Sequence, residues 1–472
     1  MPKLSFVAAF ATALVASPLA AAEVNVTPGT GGAEVTVYSS DLALVREHRS
    51  FRLPTASALL AFSGVSGRMY PETAVLDVVK GDPVKVAEQA FSFNLITPAS
   101  LLAQSVGTEV SVLSTNPATG KEATQRARVL SASDGVVLDI GGKIHTHVPG
   151  QIVFDNLPPG LRATPTLLMR VTGAAGKDAE AEFSYLTGGL SWQADYVVQY
   201  DSDAGRMDLS AWATITNTTG VNFPDAKIKL IAGDINRVNM PPPRLSHSME
   251  AKVAAAPALA EGVSEQTLVA NHIYAMGKST SLVDKESKQL ALLGGQGIAV
   301  RRELVVRNDQ PYIYSNSLRG QVQESRADVE LTFKNDAAAN LGVPLPAGTM
   351  RVYGLDEQGA PQFMGESAIG HAAVGTEVRV KLGRDFDVPV MREQTNFVRA
   401  SDTITISVWK ITLKNAKARP VKVRLIEPMP ESWEITKESH PHKKSNAATV
   451  EWVLDVPAKG QVALEYNVKS QF

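Results

Sequence analysis

Leu186–Tyr200 reads LTGGLSWQADYVVQY. Trp192, Tyr196, Tyr200, two Gln and Asp195 in so short a stretch suggest either a binding surface or a piece of core. Periodicity separates the two. Leu190, Trp192, Ala194, Tyr196, Val198 and Tyr200 share one phase of an extended chain, whereas Ser191, Gln193, Asp195 and Gln199 share the other. Only Val197 breaks the alternation. A period of two with apolar residues on one face predicts a half-buried β-strand, entered by the Gly188-Gly189 turn. The aromatic side chains therefore read as core. DSDAG (Asp201 to Gly205) has turn composition, and Met207, Leu209, Ala211, Ala213 and Ile215 repeat the alternation up to NTTG (Asn217 to Gly220). A long antiparallel hairpin follows.

The same pattern recurs along the chain, as in Val136-Leu138-Ile140, Val329-Leu331-Phe333 and Val450-Trp452-Leu454-Val456, with Gly, Pro, Asn and Asp between the runs. Many short strands with turn signals predict an all-β protein of several antiparallel β-sandwich or small β-barrel units. Helices are few and short. The clearest is TPASLLAQSVG, where Thr97 caps, Pro98 suits the first helical position and Gly107 the exit. Asp284–Leu293 reads as turn plus strand. Residues 23–180 are expected to form an N-terminal β region, of which about 97–172 resembles a small barrel. Residues 181–472 are expected to form a C-terminal β-sandwich region. Met240–Gly262, with three prolines followed by Ala, Ser and charge, reads as an exposed excursion within it, and the insert is expected over about 240–270.

The chain of 472 residues is too long for one core, so two or three units are expected. The 46 basic and 48 acidic residues leave a formal charge of −2, which gives no pull towards nucleic acid or an anionic membrane. Cys is absent, excluding disulfides, thiolate metal sites and Cys nucleophiles. At the N-terminus, Lys3 precedes an apolar run from Leu4 to Val15, and Ala20-Ala21-Ala22 offers a small-x-small cleavage pattern. The run is too short to cross a bilayer, so a cleaved signal peptide over residues 1–22, cut between Ala22 and Glu23, is expected. Export without disulfides fits a periplasm.

The stretch YLTGGLSWQADYVVQY…ATITNTTGVNFPDAKIKLIAGD resembles the start of a bacterial envelope family called domain of unknown function 4139. LGVPLPAGTMRVYGLDEQGAPQFMGESAIG (Leu341 to Gly370), LGRDFDV (Leu382 to Val388) and EPMPESWEIT…VEWVLDVPAKGQVALEYNV match further parts in order. AEVTVYSSDLALVREHRSFRL is similar to the companion N-terminal domain of mucoidy-inhibitor-type proteins, which carry a coiled coil between the two domains; no heptad stretch occurs here. The resemblance implies an all-β, exported protein. It brings no catalytic residue.

Candidate chemistry is sparse. His145 and His147 in KIHTHVPG stand at i and i+2 on an expected strand and would share a face, as two imidazole ligands of one metal ion do. A third ligand is needed, and alternation favours two solvent-facing histidines. His440 and His442 flank Pro441 in a basic turn. DSDAG lacks the later ligands of a calcium loop. GGQG (Gly294 to Gly297) lacks the Lys-Ser/Thr of a phosphate loop, and SGVSG (Ser63 to Gly67) misses nucleophile-elbow spacing. No cofactor motif is present. Trp192 and Trp452 sit on apolar phases and are expected in the core. Trp212 sits on a polar phase, so it either contacts a partner or sugar ring or is covered by a neighbouring domain, the second being favoured. Three classes of function stand: a periplasmic non-catalytic protein binding envelope proteins or glycans; an envelope hydrolase, metal-assisted through His145 and His147; and an outer-membrane β-barrel ending in VALEYNVKSQF. Against the barrel stand 27 prolines, only 6% aromatic residues and short strands.

Overall fold

The computed structural model describes residues 23–29, 31–148, 150–236, 262–268, 271–308 and 315–471. The expected leader lies outside these residues, as does nearly all of Met240–Gly262. Strand makes up 63% of the structure and helix 3%, so the protein is all-β. The helix Pro98–Gln104 is capped as its sequence predicts: the Ser100 amide donates to Thr97 Oγ1 at 3.0 Å, and the Thr97 amide donates to Ser100 Oγ at 2.8 Å.

Among the described residues five sheets carry the fold: one of four strands, two of five and two of nine. Most pairings are antiparallel. Four are parallel, joining strands that are distant in sequence: Glu23–Asn25 with Ser57–Ser63, Glu34–Tyr38 with Phe223–Ala232, Leu190–Asp201 with Gly348–Leu355, and Arg301–Arg307 with Val421–Pro428. Strands from both sides of residue 181 therefore share one sheet. The expected barrel near 97–172 is an open five-stranded meander, whose edge strands Lys143–His145 and Gln151–Val153 do not pair. Every sheet runs from one edge strand to another, so the described strands form no closed barrel. An outer-membrane barrel requires that closure.

The stretch Leu186–Tyr200 does what its periodicity predicts. Leu190–Asp201 and Arg206–Asn217 pair in unbroken antiparallel register from Leu190↔Asn217 to Asp201↔Arg206. Asp201 closes the turn by accepting from the Asp203 and Ala204 amides, both at 2.9 Å. The inward face lies against strands Glu34–Tyr38 and Leu42–Arg52. Trp192 donates from Nε1 to the Ile231 carbonyl at 3.0 Å and meets Tyr274 edge-on, while Tyr196 donates to the Pro346 carbonyl at 2.7 Å. Each ring thus buries its apolar body and satisfies its polar tip. Leu190 and Val198 are fully buried, each contributing about 1.5–3 kcal/mol. A second core fills the C-terminal nine-stranded sheet around Trp409, Trp452 and Tyr466. The strand Glu377–Arg399 joins the two cores, with Val378 and Val380 in the first and Val388 and Val390 in the second.

Three corners of the fold are built alike. The tetrapeptides Thr214-Ile215-Thr216-Asn217, Thr332-Phe333-Lys334-Asn335 and Thr412-Leu413-Lys414-Asn415 each end a strand. The three asparagines are buried. Each amide nitrogen donates to carbonyls of the turn that follows or of a neighbouring turn: Asn217 to Val221 and Leu282, Asn335 to Val343, Ala372 and Ala373, Asn415 to Arg419, Val456 and Pro457. Each amide oxygen accepts a backbone N–H. A side chain that both donates and accepts can close a buried turn that has no strand partner.

Candidate functional site

The outer face of the central five-stranded sheet carries a connected row of polar side chains. The sheet runs Glu286–Ala299, Arg206–Asn217, Leu190–Asp201, Gly348–Leu355, Pro361–Ile369. Each strand contributes one residue to the row. Gln289 Nε2 donates to Thr214 Oγ1 at 3.1 Å, and Thr214 Oγ1 donates to Asp195 Oδ2 at 2.6 Å. Arg351 Nη1 donates to Asp195 Oδ1 at 2.8 Å, and Arg351 Nε pairs with Glu366 Oε2 at 3.1 Å. Gln193 adds a bond to Asp195 Oδ2 at 3.3 Å. The row runs diagonally because register places Asp195 opposite Trp212 and Arg351 opposite Glu366.

Asp195 is the hub, only 6% exposed. Burial alone pushes its carboxyl pKa up. Donation from Thr214, Arg351 and Gln193, with the Arg351 charge, outweighs burial and holds the pKa below the ordinary carboxylate value. At neutral pH Asp195 is thus a fixed anionic acceptor with no proton to give, which suits recognition rather than general acid catalysis.

Aromatic rings flank the row. Trp212 stands in register with Asp195 on one side and Ala291 on the other. It is 38% exposed, so the described residues cover it in part and leave the rest open. Beyond the Arg351–Glu366 pair, Tyr353 and Phe363 meet edge-to-face with centroids 5.6 Å apart, and Phe363 is 56% exposed.

The other predicted candidates lie elsewhere. The strand Lys143–His145 ends before His147, which sits exposed in the following bend; the shared strand face is not formed. Among the described residues no three His, Asp or Glu side chains gather to hold a metal ion, so His145 and His147 stand without a third ligand there. His442 bonds Glu438 at 2.9 Å and packs between Trp433 and Trp452, a structural ring. His440 pairs with Ser439. Gly294 to Gly297 lie within strand Glu286–Ala299. In Ser63 to Gly67, the Ser66 hydroxyl pairs with Thr187 Oγ1 at 2.6 Å rather than with a base. The surface clefts of about 430 and 460 Å³ are lined by charges that already pair, Lys80 with Glu180 and Arg301 with Glu377.

Sequence reading placed Gln193, Asp195 and Trp212 on the outer face but missed Gln289, Arg351 and Glu366. These belong to strands far along the chain, and no local signal marks them as neighbours.

The model of the family Domain of unknown function (DUF4139) matches residues 181–472, more than half of the chain. The chain belongs to this family. All five strands of the central sheet fall within the matched region, so the polar row is part of the domain of unknown function 4139. No curated protein matches the chain.

Proposed function

We propose that this member of the domain of unknown function 4139 family is exported, cut between Ala22 and Glu23, and works in the bacterial envelope as a non-catalytic binding protein. Its contact surface is the outer face of the central sheet, and its partners are envelope proteins or glycans. Residues 23–180 support this surface and residues 181–472 carry it. The observation behind the reading is the row Gln289–Thr214–Asp195–Arg351–Glu366, held rigid across five strands beside exposed Trp212 and Phe363. Rigid polar groups next to exposed rings lose little freedom on binding. A protonated acid or an assembled metal site would favour hydrolysis instead; Asp195 is ionised at neutral pH, and among the described residues the two histidines have no third ligand. Export is supported by the leader composition, an apolar run from Leu4 to Val15 after Lys3 and before the small residues Ala20-Ala21-Ala22.

The test is co-sedimentation of the purified chain with a washed envelope fraction. The wild-type chain should pellet, and Trp212→Ala should remain in the supernatant. Equal recovery of both proteins removes the surface from consideration; recovery of neither refutes envelope binding.

A further inference from the structure

We infer that the occupant of this face is an uncharged polysaccharide chain, recognised by ring stacking at its two ends and by hydrogen bonds between them. This inference rests on the binding role proposed above and names the ligand class. Trp212 carries its first argument. Its cross-strand neighbours are Asp195 and Ala291, and its neighbours along the strand on the same face are Ser210 and Thr214. All four are small, so part of the indole stays open to solvent, and the ring is 38% exposed. A protein-binding hot spot is instead ringed by contacts that exclude water. A lone ring over small residues matches a pyranose, which presents an apolar C–H face to the ring and a rim of hydroxyls to its surroundings.

The second argument is the chemistry between the platforms. Hydroxyl groups both donate and accept, and so need partners of both kinds. Glu366 accepts and Arg351 donates beside the Tyr353–Phe363 end, the exposed amides of Gln193 and Gln289 beside Trp212 can do both, and buried Asp195 holds the row in place. The charges in the row are Asp195 and Glu366 against Arg351, two negative and one positive, leaving one negative. A phosphate-rich or otherwise anionic polymer would meet a net repulsion there, since its recognition needs clustered cations.

The third argument is length. Tyr353 lies two strands across from Trp212 and four residues beyond Thr349, the residue in register with Asp195 and hence with Trp212. Ordinary strand rise and spacing put the two aromatic positions about 16 Å apart. A single ring cannot touch both platforms, whereas a short linear oligosaccharide spans them across the Asp195–Arg351 pair.

The experiment is calorimetric titration of the full chain with a linear β-1,4-linked tetramer of N-acetylglucosamine, with the β-1,4-glucose tetramer in parallel. At least one should bind. Trp212→Ala and Phe363→Ala should each weaken binding by about tenfold, the size of one lost ring contact. Trp212→Phe should recover part of it. Circular dichroism of each variant checks the fold, and both rings are exposed, so two independent substitutions report. Binding of neither tetramer overturns the inference, as does binding that ignores both substitutions. Sedimentation with the envelope fraction separates this failure from that of the role itself. Trp212-dependent pelleting that survives digestion of the glycan but not of the protein keeps the binding role and refutes the polysaccharide. Pelleting that does not depend on Trp212 refutes both.

Discussion

Replacing Asn335 by Ala should be among the most damaging single changes in the C-terminal half. The side chain is fully buried. Its amide donates to the carbonyls of Val343 at 2.8 Å, Ala373 at 3.2 Å and Ala372 at 3.3 Å, and accepts from the Gly342 amide at 3.3 Å. Alanine removes all four bonds and leaves the backbone groups in a space too tight for easy rehydration. At roughly 1 kcal/mol per net bond, the expected loss is about 4 kcal/mol. Urea unfolding followed by Trp fluorescence should show a lower midpoint at unchanged slope, with Asn396→Ala, on the exposed surface, as reference. Hydrogen exchange supplies a local reading, because the Gly342 amide loses its Asn335 acceptor and should exchange at least tenfold faster. Asn217→Ala and Asn415→Ala should behave alike, since both side chains make the same kind of turn closure. A loss below about 1 kcal/mol at Asn335, comparable to a surface substitution, refutes the reading of these corners as buried latches.

Three further outcomes follow from other sites. Partial desolvation of the His371 imidazole holds its pKa below the ordinary value near 6.5, with a nearby Asp234 raising it and His272 lowering it. Its Nδ1 accepts from the Ala347 amide, a bond that protonation removes. A depressed histidine pKa means that the unfolded chain binds the proton more readily, so stability should fall as the pH drops below about 6.5. His371→Gln should flatten that part of a melting profile; an unchanged slope rejects the assignment. In the C-terminal core, Arg392 holds Glu427 at 3.0 Å and lies over the Trp409 ring at 3.6 Å. Glu427→Gln should cost about 3–5 kcal/mol by leaving the largely buried guanidinium without its counter-charge. The double change Glu427→Leu with Arg392→Met should recover much of that loss, and thermal melts that rank the double variant below the single one contradict it. Finally, intact-mass measurement of the chain recovered from a bacterial envelope should give an N-terminus at Glu23; a retained Met1 rejects processing there.

The strands and the core were legible because their signal is local. Leu190, Trp192, Tyr196 and Val198 all point inward as their phase requires, and Thr97-Pro98 starts the helix. The outer-face position of Trp212 was legible too, but its exposure was not, because nothing in a strand says whether another layer covers it. His147 shows the limit of alternation: the pattern suggested a strand continuing past His145, and the backbone bends there instead. The asparagine corners went unread although the signal was present. Thr-apolar-polar-Asn is spelled three times, and an internal-repeat comparison of strand ends would have exposed it.

By itself, the amino-acid sequence determined that this chain forms pleated strands and which side of each strand enters the core. That information resides in alternating side chains a few ångströms apart. Only the tertiary structure decided which strands lie beside one another. The parallel neighbours Leu190–Asp201 and Gly348–Leu355 meet across a long intervening segment, and their meeting sets Arg351 on Asp195. Such a pairing reflects packing of whole sheets against the entropy of closing a long loop, a balance that no short window of sequence contains.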